Sequence, residues 1–182
     1  MCRRFCDSAE QFEAVYAQLK TTACPHCKRV GTLIRHGVLR GYDEKHPRQK
    51  AVRAWRIFCN NRKRSGGCGR TFSVWAADKI KRLWLTADAL WKFLKQAVES
   101  GNKIRAFRDL NSEMSDSAPY RIWKRFREAQ SAIRTALGRL GTPPKIASEQ
   151  PADQTLAHLR TAFGDHPCPI AAFQVTLQTF FV

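Results

Sequence analysis

Acidic residues are scarce in this sequence of 182 residues: 15 aspartates and glutamates stand against 32 lysines and arginines, which leaves a net charge of +17. The chain also lacks any apolar run near the about 18 residues that a transmembrane helix needs, so we expect no membrane partner. Its first residues are basic but have no apolar segment behind them, which predicts no secretory signal. The hydrophobic content of 43% is enough for a packed core and excludes a wholly disordered chain.

The excess of positive charge is confined to part of the chain. Residues 1–80 carry a net charge of +11 and residues 81–146 a net charge of +8, whereas residues 147–182 carry −2. The first two segments are therefore suited to a polyanion such as nucleic acid, and the last segment is not.

Four of the seven cysteines form two pairs. The first pair is the CPHC turn, and the second brackets the stretch NNRKRSGG. Cysteines without a predicted signal are expected to be thiols or metal ligands, and zinc takes four thiolates in tetrahedral geometry. The sequence therefore predicts one Zn²⁺ bound by Cys24, Cys27, Cys59 and Cys68. The other cysteines, Cys2, Cys6 and Cys168, have no partner at ligand spacing and are expected to be ordinary thiols.

The second pair departs from the usual pattern, because eight residues separate Cys59 from Cys68 where a C-x-x-C turn would have two. We interpret these residues as an inserted loop, since the entropic cost of closing a loop grows slowly with its length. Two alternatives stay open: a site in which His26 or His36 is the fourth ligand, and a set of buried thiols without a metal.

The region around the cysteines has the pattern of a small sheet. Residues 31–42, 51–59 and 70–75 are predicted to be strands, which gives a β-rich zinc ribbon over residues 22–76. In front of the ribbon, residues 7–20 predict a short amphipathic helix, with Ser8 as its N-cap and Gln11 completing a capping box.

The middle of the chain predicts three helices. Thr86 caps the first, Asn102 caps the second, and the third begins near Ser117 and Pro119 and runs to Leu140. This order, with a turn after the second helix, is typical of a helix-turn-helix domain. After a linker, residues 152–163 predict a short helix, and the alternating segment FQVTLQTFFV predicts a C-terminal strand.

The third helix has a basic side opposite its apolar stripe, as a helix in a DNA major groove would. Arginine can read guanine edges, and lysine mostly contacts phosphate. A helical bundle with a solvated basic face is the alternative.

We also interpret the basic loop between the second cysteine pair as a phosphate clamp. The predicted DNA-binding residues are Arg62, Lys63, Arg64, Tyr120, Arg121, Lys124, Arg125 and Arg127.

In this order, CPHC, the strands GTLIRHG and RAWRIFC, and CGRTFSVW followed by helices resemble the N-terminal DNA-binding region of bacterial zinc-ribbon insertion-sequence transposases. The similarity covers roughly residues 22 to 130. It implies that ribbon and helices bind element DNA. In that family an RNase H-like domain with metal-binding carboxylates follows. Only about forty residues follow Leu140 here, and FQVTLQTFFV has no acidic residue, so we expect neither that domain nor enzyme activity.

We therefore expect an α+β protein with four parts: an N-terminal helix (1–21), a zinc ribbon (22–76), a three-helix helix-turn-helix domain (77–141), and a linker with a helix–strand tail (142–182). The expected function is zinc-dependent binding of double-stranded DNA as an accessory or regulatory factor, in the cytoplasm with the nucleoid. The apolar tail predicts a second copy or another protein as a further partner. Two alternatives remain: a partial transposase that completes its active site with another chain, and an RNA-binding zinc-ribbon protein.

Overall fold

A computed structural model describes residues 3–43, 46, 48–62, 65–110, 115 and 117–182. The chain divides into two compact units, Met1–Ala77 (the first unit) and Asp78–Val182 (the second unit). The described residues form one four-stranded sheet and six helices, so the α+β class is confirmed. None of the described helices has the length and apolar character needed to cross a membrane.

The sheet belongs to the first unit and has the strand order β1-β4-β3-β2. Its strands are β1 (Phe5–Cys6), β2 (Leu33–Tyr42), β3 (Lys50–Cys59) and β4 (Thr71–Ala76). The three predicted strands are β2, β3 and β4, which pair in antiparallel fashion. Strand β1 pairs in parallel with β4 and was not predicted, because two residues are too few to show an alternating pattern.

Helix α1 (Ala9–Ala17) begins as the sequence predicts. The backbone N–H of Gln11 donates to Ser8 Oγ at 3.2 Å, which confirms Ser8 as the N-cap. The Gln11 side chain accepts from the N–H of Asp7 at 2.8 Å, one residue before the position that a standard capping box uses. The apolar side of α1 packs on the sheet: the ring of Phe12 stacks on Trp55 with centroids 4.5 Å apart. This contact lies in the core of the first unit.

The second unit is helical, and its elements in chain order are α2 (Ala87–Ser100), α3 (Lys103–Arg108), α4 (Ala118–Leu137), α5 (Pro151–Phe163) and α6 (Pro169–Leu177). The predicted caps are confirmed for two of them. Thr86 Oγ1 accepts from Ala89 N at 3.2 Å, and Asn102 Oδ1 accepts from Arg105 N at 3.0 Å.

The predicted C-terminal strand is wrong, because residues 173–177 of the segment belong to helix α6 and residues 178–182 form no strand. The helix residues from Pro169 to Gln174 are all buried, so this part of the helix has no exposed polar face and shows no 3.6-residue pattern. The alternation of Phe173, Val175 and Leu177 reflects this lack of a polar face and not a strand. Proline is tolerated at the first helical position, where its missing N–H costs nothing.

Helices α5 and α6 complete the core of the second unit. Helix α5 packs on α4, whose Ile133 and Leu137 are buried, while α6 packs on α2 and α5. Phe181 is buried beside Phe126, with ring centroids 6.1 Å apart. The apolar tail therefore has a place within this unit, and a partner bound through it stays a prediction.

Candidate metal centre and nucleic-acid interface

The structure brings the two predicted cysteine pairs together. The Sγ atoms of Cys24, Cys27, Cys59 and Cys68, the cysteine cluster, all lie within 4.8 Å of one another. Cys24 Sγ and Cys68 Sγ are 3.9 Å apart, and Cys27 Sγ and Cys59 Sγ are 3.7 Å apart. A tetrahedral zinc ion with Zn–S bonds of about 2.3 Å needs sulfur–sulfur edges of about 3.8 Å. The cluster therefore has the dimensions to hold a tetrahedral metal ion.

The first pair is shaped by a tight turn. The N–H of Lys28 donates to the carbonyl of Cys24 at 2.9 Å, and the N–H of Cys24 donates to the carbonyl of Arg29 at 2.9 Å. Lys28 itself has a left-handed backbone with φ of 64°, which reverses the chain behind Cys27. Within the turn, the N–H of His26 points at Cys24 Sγ over 3.4 Å, as expected for an amide that stabilises a thiolate.

The second pair joins the end of β3 to the start of β4. The N–H of Cys59 donates to the carbonyl of Arg70 at 2.9 Å, and the N–H of Cys68 donates to Cys59 Sγ at 3.3 Å. The chain passes so close to the sulfur at Gly67 that a Cβ there would lie 2.8 Å from Cys59 Sγ and collide with the carbonyl of Asn60. Glycine is therefore required at this position by the close approach of the backbone.

The pKa values of two buried cysteines of the cluster are shifted in opposite directions. Burial raises the pKa of Cys24 to about 11, although the amides of Cys27 and His26 favour its thiolate. Burial also opposes ionisation of Cys59, but hydrogen bonds from the Thr32 hydroxyl and the Cys68 amide, with help from the neighbouring thiols, lower its pKa to about 7. The donors around Cys59 therefore favour its thiolate, and a cation held by the cluster would favour the thiolate of both cysteines.

The two histidines that might have served as ligands lie elsewhere. The ring of His26 contacts Phe72 with centroids 6.3 Å apart, and the ring of His36 contacts Phe58 at 5.3 Å. Neither belongs to the cysteine cluster.

The remaining cysteines are also outside the cluster. Cys6 is buried in the core of the first unit, and Cys168 is buried at the start of α6. Burial raises the pKa of the Cys168 thiol. Cys2 lies outside the described residues.

The basic loop within the second pair is closed by its own hydrogen bonds. Asn60 Nδ2 donates to Ser65 Oγ at 2.8 Å, and the N–H of Ser65 donates to the carbonyl of Arg62 at 2.9 Å. Arg62, the first residue of this turn, is exposed. Lys63 and Arg64, which were predicted to bind DNA with it, lie outside the described residues.

The outer face of α4 carries the other predicted DNA contacts. Tyr120 is 56% exposed, and Arg121, Lys124 and Arg127 are exposed as well. The buried stripe through Ile122, Phe126 and Ile133 lies on the opposite side of the helix. Lys124 makes an ion pair with Glu128 at 3.9 Å, which is an exposed pair and leaves the lysine accessible.

Arg125 has a different position from the other basic residues of α4. It is half-buried, and its guanidinium donates to the carbonyls of Arg82 at 3.5 Å and Lys81 at 3.4 Å. Both carbonyls belong to the loop in front of α2. Arg125 therefore joins this loop to α4, and only part of its donor capacity is left for a ligand.

The sequence motifs did not indicate a functional role for this loop. An antiparallel bridge between Lys79 and Thr86 closes it, and the loop is called the 79–86 loop below. Together with the start of α4 it forms a cavity of about 530 Å³, lined by Arg82, Leu83, Trp84, Ser115, Ala118, Arg121, Ile122 and Arg125. The available signal was the mixture of basic and apolar residues in KIKRLWL, residues 79–85. This segment lies between the cysteine motifs and the first predicted helix and belongs to neither.

Comparisons with protein-family models, with curated proteins and with solved structures give no significant match for this chain. The resemblance to transposase DNA-binding regions therefore depends on the quoted motifs alone.

Proposed function

We propose that this chain is a zinc-dependent protein that binds double-stranded DNA through the outer face of α4. The observation that carries the proposal is the exposed set of Tyr120, Arg121, Lys124 and Arg127 above a fully buried apolar stripe. A helix with this division can lie in a major groove while its other side stays packed on the domain.

Zinc is the metal that best suits the cysteine cluster. A tetrahedral set of four sulfurs is typical of zinc or of iron, and zinc binds such sites more tightly than ferrous iron does. The cysteines would serve as structural ligands, since all four coordination positions are taken by protein sulfur and none is left for a substrate.

Duplex DNA is favoured over RNA by the burial of the two tryptophans of the sheet. Proteins that read single-stranded RNA on a sheet stack bases on exposed rings. Here Trp55 and Trp75 are each only 9% exposed, and Trp55 is stacked on Phe12. These two rings belong to the core of the first unit, whereas the basic residues on the outer face of α4 are exposed.

A role as an accessory or regulatory factor in transposition follows only from the resemblance of the motifs. The alternative is a chain that completes a transposase active site with a second protein. Strand transfer requires divalent metal ions held by carboxylates. A Mg²⁺-dependent strand-transfer assay with the full chain, alone and with a candidate transposase, therefore separates these two roles.

The DNA proposal is tested by competition between labelled duplex DNA, single-stranded DNA and structured RNA. We expect duplex DNA to bind best, and Arg127→Ala to weaken duplex binding at every salt concentration. If Arg127 contacts one phosphate, the slope of log K against log salt falls by about 0.9 in this variant.

The matched control is Lys95→Ala, which removes one exposed positive charge from α2 in the same unit. It is expected to leave the slope unchanged. Equal slopes for the wild type and Arg127→Ala would contradict the assignment of the α4 face, and preferential binding of RNA would support the RNA alternative.

A further inference from the structure

The cavity beside α4 has the composition of a site for a phosphate group joined to a flat ring. Its volume of about 530 Å³ lies within the range of about 300–1,000 Å³ that is usual for ligand sites. Arg82, Arg121 and Arg125 line it, together with Trp84, which is 38% exposed. The described residues that line the cavity include no carboxylate to neutralise these guanidinium groups.

The 79–86 loop holds the side chains of Arg82 and Trp84 in a fixed place. Ile80, Leu83 and Leu85 are buried beneath the loop, so the alternate residues Arg82 and Trp84 lie on its exposed side. The bridge between Lys79 and Thr86 closes the loop at its base, and the Arg125 guanidinium holds two of its carbonyls.

Arg82 has a left-handed backbone with φ of 62°. This conformation is uncommon for a residue other than glycine, and strained residues of this kind concentrate at binding sites. Here the strain places an arginine side chain at the wall of the cavity, and the carbonyl of the same residue accepts from Arg125.

The chemistry of the cavity differs from that of the outer face of α4. Guanidinium groups bind phosphate oxygens with paired hydrogen bonds, and an aromatic ring stacks on the face of a base. A phosphate contact alone needs neither a concave site nor an aromatic ring. A base that is paired within a duplex cannot enter a cavity, because its faces are covered by its neighbours in the stack.

We propose that this cavity binds a single unpaired nucleotide of a DNA strand, with its phosphate on the arginines and its base against Trp84. The inference rests on the proposed binding of duplex DNA and adds to it a preference for a duplex with an unpaired nucleotide. Arg121 serves both sites, since it lines the cavity and lies on the exposed side of α4.

The test uses the full chain and three labelled duplexes in a fluorescence anisotropy titration: one fully paired, one with a single unpaired nucleotide at its end, and one with an abasic residue at that position. We expect the unpaired nucleotide to bind about 10-fold more tightly than the paired duplex, which is in the range known for stacking of one base. The abasic duplex is expected to lose most of this preference, because it keeps the phosphate but has no base.

Two variants assign the effect to the cavity. Trp84→Ala should abolish the preference and leave binding of the paired duplex unchanged, whereas Trp84→Phe should retain part of it. Tyr42→Ala removes an exposed aromatic ring from the first unit and should leave the preference intact.

Each outcome of the titration decides a different question. Equal affinity for the paired duplex and the duplex with an unpaired nucleotide would overturn this inference and leave the proposed DNA binding in place. Absence of binding to all three duplexes would overturn both. If Trp84→Ala keeps the full preference, the assignment of a strand nucleotide to this cavity is overturned. The same conclusion follows if a free deoxynucleotide at micromolar concentration removes the preference. The comparison with the abasic duplex uses the unaltered protein, so it holds even if a variant fails to fold.

Discussion

The second cysteine pair depends on Gly67, whose backbone passes directly beside the sulfur of Cys59. In Gly67→Ala the new methyl group would lie 2.8 Å from Cys59 Sγ and would collide with the carbonyl of Asn60, so the turn must move. We expect the first unit to lose about 1–3 kcal/mol of stability, as is usual for an overpacked site, and to release its metal faster. The rate of zinc transfer to a coloured chelator and the midpoint of thermal unfolding measure these two effects.

The control for this substitution is Gly141→Ala, since a Cβ at Gly141 meets no atom within 4 Å. It should release zinc at the rate of the wild type. An unchanged release rate in Gly67→Ala would show that the turn accommodates a side chain and that the sulfur geometry is less restricted than the distances indicate.

At the scale of single residues, local spacing predicted which cysteines come together but not all of their surroundings. The grouping of the cysteines follows from two short motifs joined by a hairpin, and hairpins can be recognised in a sequence. The position of Arg125 could not be predicted in this way. The sequence predicts Arg125 as a DNA-binding residue, yet its guanidinium donates to carbonyls that lie 43 and 44 residues earlier in the chain. Such a contact exists only once the 79–86 loop and α4 have packed together.

Helix α6 and the residues that follow it are held to the second unit by aromatic packing. Phe181 is 1% exposed, with its ring 5.5 Å from Phe173 and 6.1 Å from Phe126, and its N–H donates to the Gln174 side chain at 3.3 Å. Phe181→Ala should therefore cost about 3–5 kcal/mol of unfolding free energy, the usual range for a buried phenylalanine. Urea denaturation followed by helical circular dichroism measures the loss.

The adjacent Phe180 provides a matched control. Its ring is only half-buried and lies under the ammonium group of Lys81, 4.7 Å from the ring centroid. Phe180→Ala removes the same number of atoms from the same segment and should cost clearly less than Phe181→Ala. Equal and small losses for the two variants would indicate that the segment does not contribute to the core, and would favour the interaction role that the sequence predicted for it.

The elements that the sequence predicted correctly share a clear boundary signal or a clear period. Helices α1, α2 and α3 have capping side chains, and the long strands β2 and β3 flank a polar loop. Helix α6 has neither signal, since no side chain caps it and its first six residues are buried on all sides. A helix of this kind can be recognised only from the packing of its neighbours, which a single sequence does not contain.

On the scale of the whole molecule, the two candidate sites belong to different units. The cysteine cluster lies in the first unit, and the outer face of α4 lies in the second. The units differ in how they are stabilised. The first unit has 77 residues, a size at which an apolar core rarely suffices and a structural metal is a common supplement. The second unit is built from five packed helices, with no such cluster among its described residues.

Removal of the metal is therefore expected to unfold the first unit and to leave the second folded. Cys24 and Cys59 are fully buried, so loss of the cation would leave sulfur groups in the core without the charge that balances them. Elemental analysis should find one zinc per chain, and hydrogen exchange after chelation should show lost protection in β2 and β3 but retained protection in α2 and α4.

Cys68→Ser should reproduce the unfolding, while Cys168→Ser, a change of a buried thiol outside the cluster, should keep both the zinc and the fold of the first unit. Stoichiometric zinc without any loss of protection on its removal would show that the sheet and α1 hold the first unit together on their own, and a protein purified without zinc or another metal would remove the metal centre from the proposed function.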